Sequence, residues 1–225
     1  MLKANVNEIF YSIQGEGINK GTPSIFVRFN SCNLKCVYCD SKYALKNSYK
    51  TYTVNELYNT ILTINNLNKM NIVFTGGEPL LQQHFIVELI NKLEKSNKIY
   101  TYEVETNGTL IPLHSLIQKV NIFNISPKLL NSKLGNKRIN VNALKSFPKF
   151  KSYFKFVICK EDDIGEVFWY RDNFNYCTPI YLMPEGVTLN QIIKNSIFVI
   201  NLCKQYGFNF TNRDQVIIYG KKRKV

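Results

Sequence analysis

The chain has 225 residues, 45% of them hydrophobic and 13% aromatic, and carries 29 Lys and Arg against 16 Asp and Glu for a formal charge of +13. This apolar and aromatic content excludes a disordered chain and suits a single domain over 1–225 with a full core. No stretch reaches the ~18 uninterrupted apolar residues of a membrane span, and lysine is spread along the whole length except for one dense run, Lys221-Lys-Arg-Lys224, so a solvated basic surface that draws in small anions is expected rather than a stable nucleic-acid partner.

Glu8-Ile-Phe-Tyr-Ser-Ile13 alternates as a strand does and runs into the turn Gln14-Gly-Glu-Gly17. Glycines there would let the backbone approach a ligand beside Gln14 and Glu16; a plain hairpin turn explains the same residues, and spacing does not choose between them. Ser24–Phe29 reads as a strand with one charge, Arg28, in an apolar run. Its planar fork needs an anion, supplied either by a ligand carboxylate or by an internal ion pair.

Cys32-Asn-Leu-Lys-Cys36-Val-Tyr-Cys39 then places three cysteines within eight residues. Three thiolates on one loop can converge on a soft metal centre. A structural zinc site would need a fourth ligand, and the two histidines, His84 and His114, each stand alone. An iron-sulfur cube held by three thiolates instead leaves one iron open to chelate a ligand. Cys159, Cys177 and Cys203 sit in apolar surroundings and read as structural. No apolar signal segment opens Met1–Asn5, so reducing cytosol is the expected setting.

The Thr53-Val-Asn-Glu56 capping box opens a helix to about Leu67, and Asn71–Thr75 is a short strand entering Gly76-Gly-Glu-Pro79. Helix 80–96, strand 99–105 ending in Glu105-Thr-Asn-Gly108, helix 111–119 and strand 122–125 ending in Ser126-Pro-Lys128 continue the alternation. Residues 129–152 lack periodicity and read as an irregular excursion. A strand over 153–158, a helix over 162–173, a strand over 179–183 and a helix from Thr188 to about Tyr206 complete the pattern, before an apolar stretch from Val216 to Tyr219. Such alternation implies right-handed crossovers, a mainly parallel sheet and strand ends sharing one rim. The cysteine loop, Thr75-Gly-Gly, Glu105-Thr-Asn and Ser126-Pro-Lys are therefore expected to face one cavity.

With these residues assembled, the chain resembles radical S-adenosylmethionine enzymes, through C-x3-C-x2-C and Gly-Gly-Glu-Pro. It is similar to the 7-carboxy-7-deazaguanine synthase family through Glu8-Ile-Phe10, Ile13–Gly17, Phe26-Val-Arg28, Cys32–Asp40 and Ser126-Pro-Lys128. The resemblance implies an α/β fold, an incomplete, modified (β/α) barrel with mainly parallel strands, and a cytoplasmic homodimer. It implies conversion of 6-carboxy-5,6,7,8-tetrahydropterin to 7-carboxy-7-deazaguanine with loss of ammonia, on the way to queuosine. Cys32, Cys36 and Cys39 would hold a 4Fe-4S cluster whose open iron chelates S-adenosyl-L-methionine, reduced by a flavodoxin or ferredoxin type of donor. Tyr38, Gly77, Glu105, Ser126, Pro127 and Lys128 would form the cofactor pocket. Ile13, Gln14, Gly15, Glu16, Arg28 and Thr75 would contact the pterin, Arg28 through its carboxylate, and Ser41 would ligate Mg²⁺. Many relatives carry Thr at Ser41, Trp at Tyr38 and Gly at Ser31, which bears on metal affinity more than on reaction type. A glycyl-radical activase could share the cysteine spacing, but the Gln14–Gly17 turn and Arg28 argue against it; a zinc-stabilised RNA-binding module would use the positive charge instead.

Overall fold

The computed structural model describes residues 2–45, 48–64, 67–174, 179–220 and 222–225. Its strands are β1 (Lys3–Ile13), β2 (Pro23–Phe29), β3 (Lys50–Thr53), β4 (Lys69–Gly76), β5 (Ile99–Thr106), β6 (Ile122–Ile125), β7 (Ser152–Ile158), β8 (Ile180–Pro184) and β9 (Asn209–Phe210). The helices are α1 (Val54–Ile64), α2 (Gln83–Leu93), α3 (His114–Lys119), α4 (Val141–Ser146), α5 (Ile164–Asn173), α6 (Leu189–Tyr206) and α7 (Asp214–Tyr219). All strands join one nine-stranded sheet in the order β3-β1-β2-β4-β5-β6-β7-β8-β9. Pairing is parallel from β2 to β9, and β1 pairs antiparallel with β2 and β3. This is the mainly parallel sheet that the alternation implies, and it stays open as the resemblance to an incomplete barrel implies, with β3 and β9 as its edges.

The sheet has two unlike faces because strand side chains alternate. Phe29, Phe74, Val104, Phe123, Phe154 and Phe156 point one way into the apolar core, where Leu89, Ile90 and Val199 of the helices meet them. Arg28, Thr75, Glu105 and Lys155, one position away on the same strands, point the other way and line a cavity. A bulge between Val6 and Glu8 decides which residues of β1 join them. Ala4 and Val6 lie in the core, whereas Glu8, Phe10 and Ser12 line the cavity. One inserted residue reverses the face, so Glu8 stands directly opposite Arg28.

Local signals account for most boundaries. Glu56 Oε2 accepts from Thr53 N at 2.7 Å while Glu56 N donates to Thr53 Oγ1 at 3.3 Å, the reciprocal cap that starts α1. At α6, Gln191 N donates to Thr188 Oγ1 at 3.3 Å, and the Gln191 side chain accepts from Val187 N at 3.0 Å and from the Thr188 hydroxyl at 3.1 Å. Several boundaries move from those expected. The segment after Gly77 enters α2 through a 3-10 turn, Pro79–Gln82, and Pro112 delays α3 to His114. Residues 129–152 contain short 3-10 turns around one α-helix, α4, whose Asn140 cap accepts from Ala143 N at 3.1 Å. The apolar stretch after Arg213 is helix α7. The edge strands β3 and β9, four and two residues long, carry too little pattern to be read from sequence. Cys203 packs in the core and Cys159 is half-buried; Cys177 lies outside the described residues.

The gap between the two sides of the open barrel is bridged by charge. Glu16, in the turn after β1, pairs with Lys155 of β7 and with Arg213 Nε at 3.3 Å, and Gln215 Nε2 donates to it at 2.6 Å. Burial alone would raise the Glu16 pKa, but Lys155 and Arg213 together bring it down to about 2. The folded-state pKa is thus below the ordinary 4.5, so the stabilisation is present above that value and is lost as pH falls through 2, on the order of a few kcal/mol. Thermal unfolding followed from pH 6 to pH 2 is expected to show this loss, and Glu16→Gln to flatten the acid limb; an unchanged limb would remove Glu16 from the clasp.

Candidate active site

Where β2 ends, the chain must turn sharply into the cysteine loop. Ser31 takes a left-handed backbone, φ 75°, at the position where the family resemblance expects Gly. Its carbonyl accepts from Glu78 N at 2.9 Å, and a Cβ on Gly77 would come within 2.0 Å of that same oxygen. The Gly-Gly pair after β4 therefore lets two loops touch backbone to backbone. Glu78 is fully buried and accepts from Leu80 N at 3.0 Å, Thr106 Oγ1 at 2.8 Å and Asn107 N at 2.7 Å. Its carboxylate ties the end of β4 to the end of β5 and does not line the cavity.

A cavity of about 550 Å³ opens above these strand ends. Cys32, Cys36 and Cys39 are all half-buried along its wall, each a free thiol. Burial raises their pKa values, that of Cys32 to about 11, and Lys128 opposes the rise at all three. N–H groups are turned to the Cys32 sulfur: Leu34 N at 3.4 Å and Asn107 Nδ2 at 3.8 Å. Donors to sulfur and a nearby cation both favour thiolates. Among the described residues, no three His, Cys, Asp or Glu side chains gather closely enough to hold one metal ion. An iron-sulfur cube offers a separate corner to each of three thiolates. The donor set fits the cube.

The facing wall is built on β5. Glu105 accepts from Thr75 Oγ1 at 2.7 Å and from Gln14 Nε2 at 3.1 Å. Gln14 Nε2 also lies 3.3 Å from Glu103, one layer deeper, to which Asn19 donates at 2.8 Å. Burial, reinforced by the Glu105 charge, pushes the Glu103 pKa up to about 7. Arg28 Nε lies 3.3 Å from Glu8 Oε2 and its Nη1 lies 3.4 Å from Ser41 Oγ, so in this structure the internal ion pair occupies part of its fork. Ser41 Oγ donates to Asp40 at 2.8 Å, and Asp40 in turn pairs with Arg213.

The cavity brings together Ile13, Gln14, Gly15, Glu16, Arg28, Cys32, Cys36, Tyr38, Cys39, Ser41, Thr75, Gly77, Glu105, Ser126 and Lys128. Pro127 is buried and does not line it. Among the wall residues to which the sequence assigned no role are Glu8, Lys155, Arg213, Gln215 and Arg223. Lys155 carried a usable signal, a lone charge within the apolar run Tyr153–Ile158, the same feature that marked Arg28. The two arginines and Gln215 carried none, since α7 and the segment after it reach the cavity only through tertiary packing.

Comparison with known proteins agrees with this arrangement. A Radical SAM superfamily model matches residues 26–150. The 7-carboxy-7-deazaguanine synthase of Pyrobaculum aerophilum is 34% identical over 98% of this chain and 97% of its own length, and that of Halobacterium salinarum is 29% identical over 95% and 90%. The crystal structure of QueE from Escherichia coli superposes with a TM-score of 0.74 at 22% identity, over 93% of each chain, and so shares the fold. From the match over residues 26–150 and the 34% identity to a curated synthase across nearly its full length, the chain belongs to the radical S-adenosylmethionine superfamily and, within it, to the 7-carboxy-7-deazaguanine synthase family.

Proposed function

We propose that this enzyme converts 6-carboxy-5,6,7,8-tetrahydropterin to 7-carboxy-7-deazaguanine with release of ammonia. The observation that carries the reading is one cavity shared by three thiols, the Gly-Gly strand end and the Arg28–Thr75–Glu105 wall, in a chain collinear with curated synthases. Cys32, Cys36 and Cys39 would hold the 4Fe-4S cluster. When bound, cluster and S-adenosyl-L-methionine supply a 5′-deoxyadenosyl radical able to abstract hydrogen.

The chain's own residues bind, orient and exclude water. Gly77 leaves room for the cofactor's backbone-like methionine part, with Tyr38, Glu105, Ser126 and Lys128 around it; Lys128 Nζ donates to Ser126 Oγ at 3.0 Å, which holds its charge at the cavity. Pro127 then acts by shaping the loop rather than by touching the ligand. Gln14, Thr75 and Arg28, with the Ile13–Glu16 backbone, would take the pterin. Ser41 and Asp40 offer adjacent hard oxygens, the donor type that Mg²⁺ uses. Family likeness supports a homodimer, a flavodoxin or ferredoxin type of donor and a cytoplasmic setting; among the described residues no helix is long and apolar enough to cross a membrane.

The direct test is anaerobic incubation of reconstituted, reduced protein with S-adenosyl-L-methionine and the carboxypterin, following 5′-deoxyadenosine and 7-carboxy-7-deazaguanine by mass spectrometry. Both products are expected; deoxyadenosine alone would keep the chemistry and reject the substrate. Replacing Cys32, Cys36 or Cys39 singly by Ala should abolish turnover and cluster absorbance while far-ultraviolet circular dichroism stays unchanged; activity in any one of them contradicts the cluster assignment. Arg28→Ala should weaken substrate binding by about 2–5 kcal/mol, the usual loss for one member of a buried charge pair. An unaltered KM, with cofactor cleavage also unaltered, would leave Arg28 only as the structural partner of Glu8.

A further inference from the structure

Two guanidinium groups meet one carboxylate at one end of the cavity. Glu8 is buried and accepts from Arg28 Nε at 3.3 Å and from Arg223 Nε at 2.7 Å, while Tyr43 Oη donates to it at 3.1 Å. The Arg223 guanidinium carbon stacks 3.8 Å from the Tyr43 ring centroid, and that of Arg28 lies 6.0 Å away. Among the described residues Glu8 is the one carboxylate paired with both, so two positive charges meet one negative charge, with Arg223 half-exposed. Each guanidinium also has five N–H groups, more than Glu8 and Ser41 accept from them. The other carboxylates that act on Arg28 are engaged elsewhere: Asp40 by Arg213 and Ser41, and Glu105 by Thr75 and Gln14. Beside this surplus charge, the Phe10 and Phe26 rings stack at 5.1 Å and within 9° of parallel, both on the cavity wall. An apolar ring pair beside two guanidinium groups suits an aromatic heterocycle bearing a carboxylate.

We propose that Arg223, on the segment following α7, is a specificity-determining residue that forms with Arg28 a two-guanidinium pocket for the substrate's carboxylate. Glu8 is the positioning residue that aligns both forks, and the β1 bulge is what turns it toward them. The inference rests on the carboxypterin reading above and adds to it a contact from the basic tail.

The test uses the full reconstituted enzyme with Arg223→Ala and Arg223→Lys, measuring kcat and KM for the carboxypterin. Inhibition by the same tetrahydropterin with a hydroxymethyl group in place of the carboxylate is measured in parallel. Arg223→Ala should raise KM on the order of tenfold to a hundredfold, the range for a lost charge-assisted hydrogen bond. Its kcat should stay within about twofold, and iron content, melting temperature and inhibition by the hydroxymethyl compound should be unchanged. Lysine keeps the charge but not the fork, so it should restore KM only in part; if the alanine variant does not fold, a several-fold KM rise in the lysine variant carries the test. An unchanged KM, or an equal loss of affinity for the hydroxymethyl compound, would overturn the role of Arg223 while leaving the reaction assigned. Absence of carboxypterin turnover by the unsubstituted enzyme would overturn both.

Discussion

Glu16 is the constraint on which the architecture turns. A sheet that does not close must still present one enclosed interior, and here a buried carboxylate from the β1–β2 turn reaches across to Lys155 on β7 and Arg213 before α7. Three desolvated charges would be costly if any lacked a partner. Gln215 adds a donor to Glu16, and Arg213 spends its remaining N–H groups on Asp40 and the Gly186 carbonyl, at 2.6 Å for the latter. Arg213 thereby also pins the cysteine loop. The Gln14–Gly17 turn, the far side of the sheet and the cysteine loop become one wall.

The interior that this clasp encloses carries a column of polar groups from top to bottom. Ser24, Asn71 and Thr101 form a hydrogen-bonded chain at the base, Glu103 with Gln14 and Asn19 forms the middle, and Arg28, Thr75 and Glu105 form the rim. An ordinary barrel packs this space with branched apolar side chains. Here the main apolar core is on the helix side of the sheet, with Phe10 and Phe26 as an apolar pair on the cavity side. The lumen is thus free to hold charge, and burial pushes Glu103 up to about 7 so that the inner carboxylate need not ionise beside Glu105.

Placement of the cysteine loop follows from backbone proximity as well as from the Asp40–Arg213 pair. Ser31 and Gly77 meet through Glu78 N and the Ser31 carbonyl, which fixes the cysteine loop against the Gly-Gly turn before any cluster is considered. Glu78 then locks that turn to Thr106 and Asn107, and Asn107 reaches on to the Cys32 sulfur. The Gly-Gly turn, the end of β5 and the thiols are in this way joined.

Local chemistry made much of this legible in the residues alone. Cysteine spacing, the Gly-Gly-Glu-Pro turn, the Thr53 cap and the alternation of apolar runs are short-range patterns, each set by a neighbour a few residues away, and they determined the fold class and most of the cavity wall. Arg28 announced that it needed an anion, because a charge in an apolar strand always does. What no local pattern holds is which anion it meets. The bulge at Asn7 reverses the face of Glu8 by a single residue, and Arg213, Gln215 and Arg223 arrive from nearly 200 residues away in sequence, from Glu8 and Glu16 to α7 and the tail. Only tertiary packing decided those partners, because ion pairing across a cavity depends on where the whole sheet carries its ends and not on the residues beside them.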